Sequence, residues 1–163
     1  MSFDDELAKA RAAKEAAGRA VEREAAAEAA RRESICRESK AAAYAVLPEL
    51  RKAIRALQDS TRSADPIPNS AVTGVNIATK QIRLGRFSGT RFMNWQIGPI
   101  CVPRTGNPTA GNKRSLEEFA DEGHWWHTGQ DPSGGGPIYW EEDAAEIFQE
   151  AIKSIAQYLA HLG

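Results

Sequence analysis

Val75-Asn76-Ile77, Ile82-Arg83-Leu84 and Arg91-Phe92-Met93-Asn94-Trp95-Gln96-Ile97 alternate apolar with polar or charged residues. A period of two is the mark of a strand, because successive side chains leave opposite faces of the sheet. Met93, Trp95 and Ile97 should therefore share one face. Ser88-Gly89-Thr90 offers a turn that would fold these pieces into a hairpin. Gly98-Pro99 interrupts the pattern and Ile100-Cys101-Val102 resumes it, so the first strands are expected over about 72–102. Everything upstream reads with a helical period instead, and that switch makes the chain α+β.

Outward toward the C-terminus, Pro103 to Asn112 is irregular. Ser115-Leu116-Glu117-Glu118 then has the Ser-x-x-Glu form of a capping box. It predicts a short helix that ends at Glu122, stopped by Gly123. His124-Trp125-Trp126-His127 and Pro137-Ile138-Tyr139-Trp140 read as further strands over about 124–140. Ser133-Gly134-Gly135-Gly136 lies between them as a flexible turn. That glycine run lacks the Gly-Lys-Ser/Thr ending of a phosphate loop and leads into a strand rather than a helix N-terminus. Asp143 opens a closing helix, expected over about 141–161, with Ala144, Phe148, Ala151, Ile155 and Tyr158 along one face. A face that broad suits the covering of a sheet. About four mostly antiparallel strands are expected in all.

Toward the N-terminus, Asp59 to Ser70 carries two prolines and reads as a linker over 60–71. Before it, Leu47, Leu50, Ile54 and Leu57 repeat at helical spacing, a core helix over 47–59. Pro48 lacks an N–H and disfavours helical geometry in its predecessor, so a kink or break is expected near Tyr44–Leu47. Residues 1–43 form an Ala-rich arm with Gly18 as its one glycine. Alanine has the highest helix propensity. Asp5–Lys9, Glu15–Arg19, Glu28–Arg32 and Glu33–Arg37 set opposite charges four apart, acid first, the more favourable orientation. Leu7, Val21 and Ile35 recur every fourteen residues, with Lys14 and Glu28 at the places between them. This is half of a coiled-coil seam. Such a stripe suits a helix completed by a second copy or another protein, and Leu7, Val21 and Ile35 are the candidate oligomerisation residues. The globular domain is then 44–163.

The formal net charge of −1 conceals an asymmetry. Residues 65–115 hold seven basic side chains against Asp65, whereas residues 116–163 hold ten acids against Lys153. Either these segments neutralise each other locally or they form two poles, which would favour head-to-tail assembly or an anionic partner. No apolar run approaches the roughly 20 residues of a membrane span. The N-terminus is acidic where a secretory signal is basic and then apolar. The two cysteines, Cys36 and Cys101, have no metal-ligand or disulfide-framework spacing. A cytoplasmic, soluble protein without a cofactor is expected.

Lys80, Arg83, Arg86 and Arg91 interleave with Phe87, Phe92 and Trp95. Arginine forks suit carboxylate or phosphate, and basic residues among aromatics on a sheet are used to bind single-stranded nucleic acid. The acidic final third opposes a phosphate backbone. On a strand His124 and His127 fall on opposite faces and cannot share one metal ion, and one of Trp125 and Trp126 must face outward. No nucleophile elbow or activated cysteine is present. The sequence favours a non-catalytic interaction protein with Arg83, Arg86, Arg91, Phe92, Trp125 and Trp126 as partner-binding residues. A nucleic-acid-binding protein using hairpin 80–92 is the first rival, and a metal enzyme using His124 and His127 the second.

Overall fold

A computed structural model describes residues 2–60 and 74–162. The fold is α+β. Its elements are α1 (Phe3–Ser60), β1 (Val75–Leu84), β2 (Phe87–Ile97), β3 (Ile100–Pro103), β4 (Thr109–Ala110), α2 (Leu116–Glu122), β5 (His124–Gln130), β6 (Pro137–Asp143) and α3 (Ala144–Leu162). The chain divides into two compact units, Met1–Arg37 and Glu38–Gly163. The linker expected over 60–71 lies, beyond Ser60, outside the described residues.

The first unit is helix alone. Ser2 caps it, its hydroxyl accepting from the Asp5 amide at 3.2 Å while donating to the Asp5 carboxylate at 2.8 Å. Leu7 is half-buried, and every residue from Ala8 to Glu33 is exposed. Ion pairs along the surface include Glu15–Arg19 at 3.8 Å, Glu28–Arg32 at 3.0 Å and Glu33–Arg37 at 3.4 Å.

The helix does not break where Pro48 predicts it. Backbone from Phe3 to Ser60 is one helix, so the separate core helix at 47–59 does not exist as such. Pro48 removes one hydrogen bond and costs about 3 kcal/mol in a helix interior. Around it Ala43, Leu47, Leu50, Ile54 and Leu57 are all buried. A buried leucine or isoleucine contributes roughly 1.5–3 kcal/mol. Four of them outweigh the proline, so packing holds the helix across a residue that local preference would use to end it.

In the second unit β1–β2–β3–β4 form one antiparallel sheet and β5–β6 a separate antiparallel hairpin. Val75, Trp95, Ile97, Ile100 and Val102 point from the sheet into a core shared with α1, with Leu116 and Phe119 of α2, and with Phe148, Ile155 and Tyr158 of α3. Trp95 and Ile97 thus share the expected face. The third member of that set, Met93, sits at a β-bulge, where Ala78 pairs with Asn94 and Thr79 with Phe92. A bulge of this kind opposes two residues on one strand to one on its partner.

The β1–β2 turn is also displaced from the expected place. Leu84 pairs with Phe87 across Gly85-Arg86, and Ser88, Gly89 and Thr90 are paired residues inside β2. Gly85 has φ +62°, the conformation a two-residue hairpin loop requires at its first position. The closing elements follow the caps. Ser115 accepts from the Glu118 amide at 3.1 Å, and Gly123 ends α2 with φ 71°. Asp143 accepts from the amides of Ala145 and Glu146 at 3.0 and 3.2 Å.

Candidate interaction surface

Three places hold the residues singled out from the sequence. In the first unit, Val21 is 66% exposed, while Leu7 and Ile35 are half-buried. Nearby, Glu28 accepts a two-pronged contact from Arg31 at 2.8 and 2.9 Å and a further one from Arg32. Hydrogen bonds from Arg31 and Arg32 pull the Glu28 carboxyl down to about 2.

The second place is the tip of the β1–β2 hairpin. Lys80, Arg83 and Arg86 are exposed, and Gln81, Arg83, Gly85, Arg86 and Ser88 line an open concavity there. Arg91 and Phe92 belong to β2, opposite Lys80 and Thr79, but their side chains lie outside the described residues. The other basic and acidic residues are partly matched within the second unit. Arg51 meets Glu117, Arg114 meets Glu122, and Lys40 meets Asp121 at 3.2 Å. Tyr44 donates to Asp121 at 2.7 Å. That bond and Lys40 hold the Asp121 carboxyl below the ordinary aspartate range, and the same bond pushes the Tyr44 phenol up.

The third place is the β5–β6 hairpin, where period two separates the residues as their spacing demands. His124 lies across from Asp143 and next to Trp126, with ring centroids 4.5 Å apart. Its Nδ1 is 3.2 Å from Asp143 and its Nε2 3.2 Å from Glu141. His127 pairs with Glu142 at 2.7 Å and stacks on Trp140 with centroids 5.1 Å apart. The two imidazoles are therefore served by different carboxylates. Among the described residues no three His, Cys, Asp or Glu side chains are grouped to hold a metal ion.

Trp125 packs against the core, 4.6 Å from Phe119 between centroids, and donates its indole N–H to Glu122. Both Trp125 and Trp126 are half-buried. The aromatic residues most open to solvent on this hairpin are instead Tyr139, 73% exposed, and Trp140, 45% exposed, with Ile138 beside them. In the sequence these three belong to an expected strand and carry no motif. Their signal was the run Ile138-Tyr139-Trp140, three large apolar residues with no polar residue between them, which pattern alone reports as buried. The turn between the strands is built rather than loose. The Asp131 carboxylate accepts from the Ser133 amide at 2.9 Å, and the Asp131 amide donates to the Gly136 carbonyl at 3.0 Å.

Ser39, Asp143 and His124 come together from α1, the end of β6 and β5. Ser39 donates to the Asp143 carboxylate, which in turn meets the imidazole. Burial pushes the Asp143 carboxyl up, but the bonds from Ser39, His124 and the Glu146 and Ala145 amides outweigh it and hold the group low. In a Ser-His-Asp triad the imidazole stands at the serine hydroxyl as its base. Here the carboxylate stands between them and also caps α3. The arrangement ties three elements together.

No protein-family profile, curated protein sequence or solved structure matches this chain.

Proposed function

We propose that this chain is a non-catalytic assembly protein. Its N-terminal helical arm docks along a second copy or another protein, and its α+β head offers arginine and aromatic side chains to a protein partner. The observation that supports the reading is the uninterrupted exposure of Ala8 to Glu33 on a regular helix. Helices in proteins owe most of their stability to packing of an apolar face. The stripe of Leu7, Val21 and Ile35 gives that face, and the alanines around it permit close approach by another helix.

Ser39 and Ala43 are buried within the second unit, so a truncation that spares the head must end at Arg37. Removing residues 1–37 is expected to lower the mass measured by light scattering to that of a smaller species while the head still melts cooperatively. Val21→Glu in the full chain should have the same effect on mass. A truncated protein that keeps the full-length stoichiometry would overturn the proposal. A nucleic-acid partner is the second reading, favoured by the exposure of Lys80, Arg83 and Arg86 on one hairpin. It requires an affinity that falls steeply with salt and is lost in R83E/R86E.

A further inference from the structure

Beside the base of the β1–β2 hairpin runs a groove between the β2–β3 turn and α3. Pro99 and Ile147 give it an apolar floor, and Glu142, Glu146 and Glu150 stand along it. Glu146 and Glu150 lie one turn apart on α3, and both are exposed. Three of the four acids of α2, Glu117, Asp121 and Glu122, are matched by Arg51, Lys40 and Arg114, and the fourth, Glu118, bonds to Ser115. Among the described residues, by contrast, neither Glu146 nor Glu150 forms an ion pair. At the far end of the same hairpin, Arg83 and Arg86 are likewise exposed and form no ion pair among the described residues.

These two sets of charge cannot meet within one copy. Gly74, Ile97 and Gly98, at the base of the hairpin, line the groove. β1 runs ten residues from Val75 to Leu84. At about 3.3 Å per residue the tip stands roughly 30 Å from the base. Over such a distance charges are screened, since the Debye length is about 8 Å at physiological salt. The local neutralisation that satisfies α2 is therefore closed to this pair.

We propose that the groove of one copy receives the hairpin tip of a second copy, with Arg83 and Arg86 on Glu146 and Glu150. Arginine fits this site better than lysine would. Its planar fork bonds a carboxylate with two parallel N–H donors, and its stem lies along apolar surface such as Pro99 and Ile147. The contact joins two different patches, so it is head-to-tail, and repetition closes a ring or extends a filament. It goes beyond the arm-mediated assembly proposed above and does not depend on it.

Charge exchange in the full-length protein tests the contact. R83E/R86E alone and E146R/E150R alone should each lose the salt-sensitive part of self-association, and an equimolar mixture of the two should recover it by at least about tenfold over either. The thermal melt of R83E/R86E should match the wild type, since both residues are exposed. That of E146R/E150R should fall slightly, since the dipole of α3 disfavours a cation in its first turn, while both variants still melt cooperatively. A zero-length carbodiimide cross-link between R83K or R86K and Glu146 or Glu150 supplies a second measurement, because the span within one copy is too long for it. In the Val21→Glu background the cross-link should persist, which separates this contact from assembly through the arm. The proposal is overturned if the mixture fails to recover association. A cross-link from the groove to Lys9 or Lys14 of the arm in place of the hairpin would overturn it equally.

Discussion

The two halves of α1 share one backbone helix and almost nothing else. From Ala8 to Glu33 every side chain is exposed, and order rests on alanine propensity and on ion pairs such as Glu28 with Arg31 and Arg32. From Glu38 to Ser60 the helix turns Ala43, Leu47, Leu50, Ile54 and Leu57 into the core. It also bonds through Ser39 to Asp143, through Tyr44 to Asp121 and through Gln58 to the carbonyls of Pro103 and Gly106. One half is stabilised locally, by neighbours three and four residues away. The other is stabilised by residues distant in the sequence. Helical form is therefore a poor guide to what holds a segment, and substitutions of the same chemical kind should act differently in the two halves.

The largest contrast is between Leu50 and Val21. Leu50 is fully buried, and Leu50→Ala should cost about 3 kcal/mol, within the usual range of roughly 2–5 kcal/mol for such a truncation. Val21→Ala leaves no cavity, because the side chain is two-thirds exposed, and should change head stability by less than about 0.5 kcal/mol. Urea midpoints on the two variants read the difference. A comparable loss from Val21→Ala at concentrations where the protein is a monomer would erase the distinction between the halves.

Asp143 comes next. It caps α3 and gathers Ser39 and His124, so it carries the packed half of α1 into the rest of the head. Asp143→Ala should cost about 2 kcal/mol, from a lost cap together with a Ser39 hydroxyl left without its acceptor. The carboxyl is held below its ordinary value of 3.8 in the folded protein. The folded state therefore binds fewer protons than the unfolded chain as this group titrates. Its contribution is fully present above that ordinary value and is lost as pH falls through the lowered one. The gap between wild type and Asp143→Ala should accordingly be widest near neutrality and narrow below about pH 4. A gap independent of pH would mean that the ionised carboxylate is not what matters.

The same division explains what could be read from the line of residues. Local rules declared themselves: the arm pairs Glu15–Arg19, Glu28–Arg32 and Glu33–Arg37, Ser115 with Glu118, and Asp143 at the start of α3 all depend on residues within four of one another. The expected Asp5–Lys9 pair gives way to an equally local bond from Ser2 to Asp5. The misreadings came where distant packing decides. Pro48 signals a break, and only the burial of Leu47 through Leu57 keeps the helix going. The hairpin turn has the opposite cause, since Leu84-Gly85-Arg86-Phe87 was legible as a Gly-first two-residue loop but was masked by Ser88-Gly89-Thr90 three residues later. Tyr139 and Trp140 show the limit for a site. An apolar residue on a two-stranded hairpin is buried or exposed according to whether another element covers it, and periodicity carries no record of that. The acidic groove is of the same kind, built from a turn at Gly98-Pro99 and a helix that starts at Ala144.

The smallest effect sharpens the comparison most, because it isolates the local half. Hydrogen bonds from Arg31 and Arg32 pull the Glu28 carboxyl down to about 2 from 4.5. With the folded value lowered, helix stabilisation by this cluster is complete above the ordinary carboxylate range and fades as pH falls through about 2. The side chains are about half exposed, so salt screens the pairs and the effect stays small. Glu28→Gln should raise amide hydrogen exchange over roughly one turn on either side of residue 28 and leave the rates around Leu50 unchanged. Adding salt to the wild type should reproduce part of the same local change. If instead Glu28→Gln loosened amides from Ser39 onward, stability would be passing along the helix axis. The two halves would then be one cooperative element, and the distinction drawn from their burial would fail.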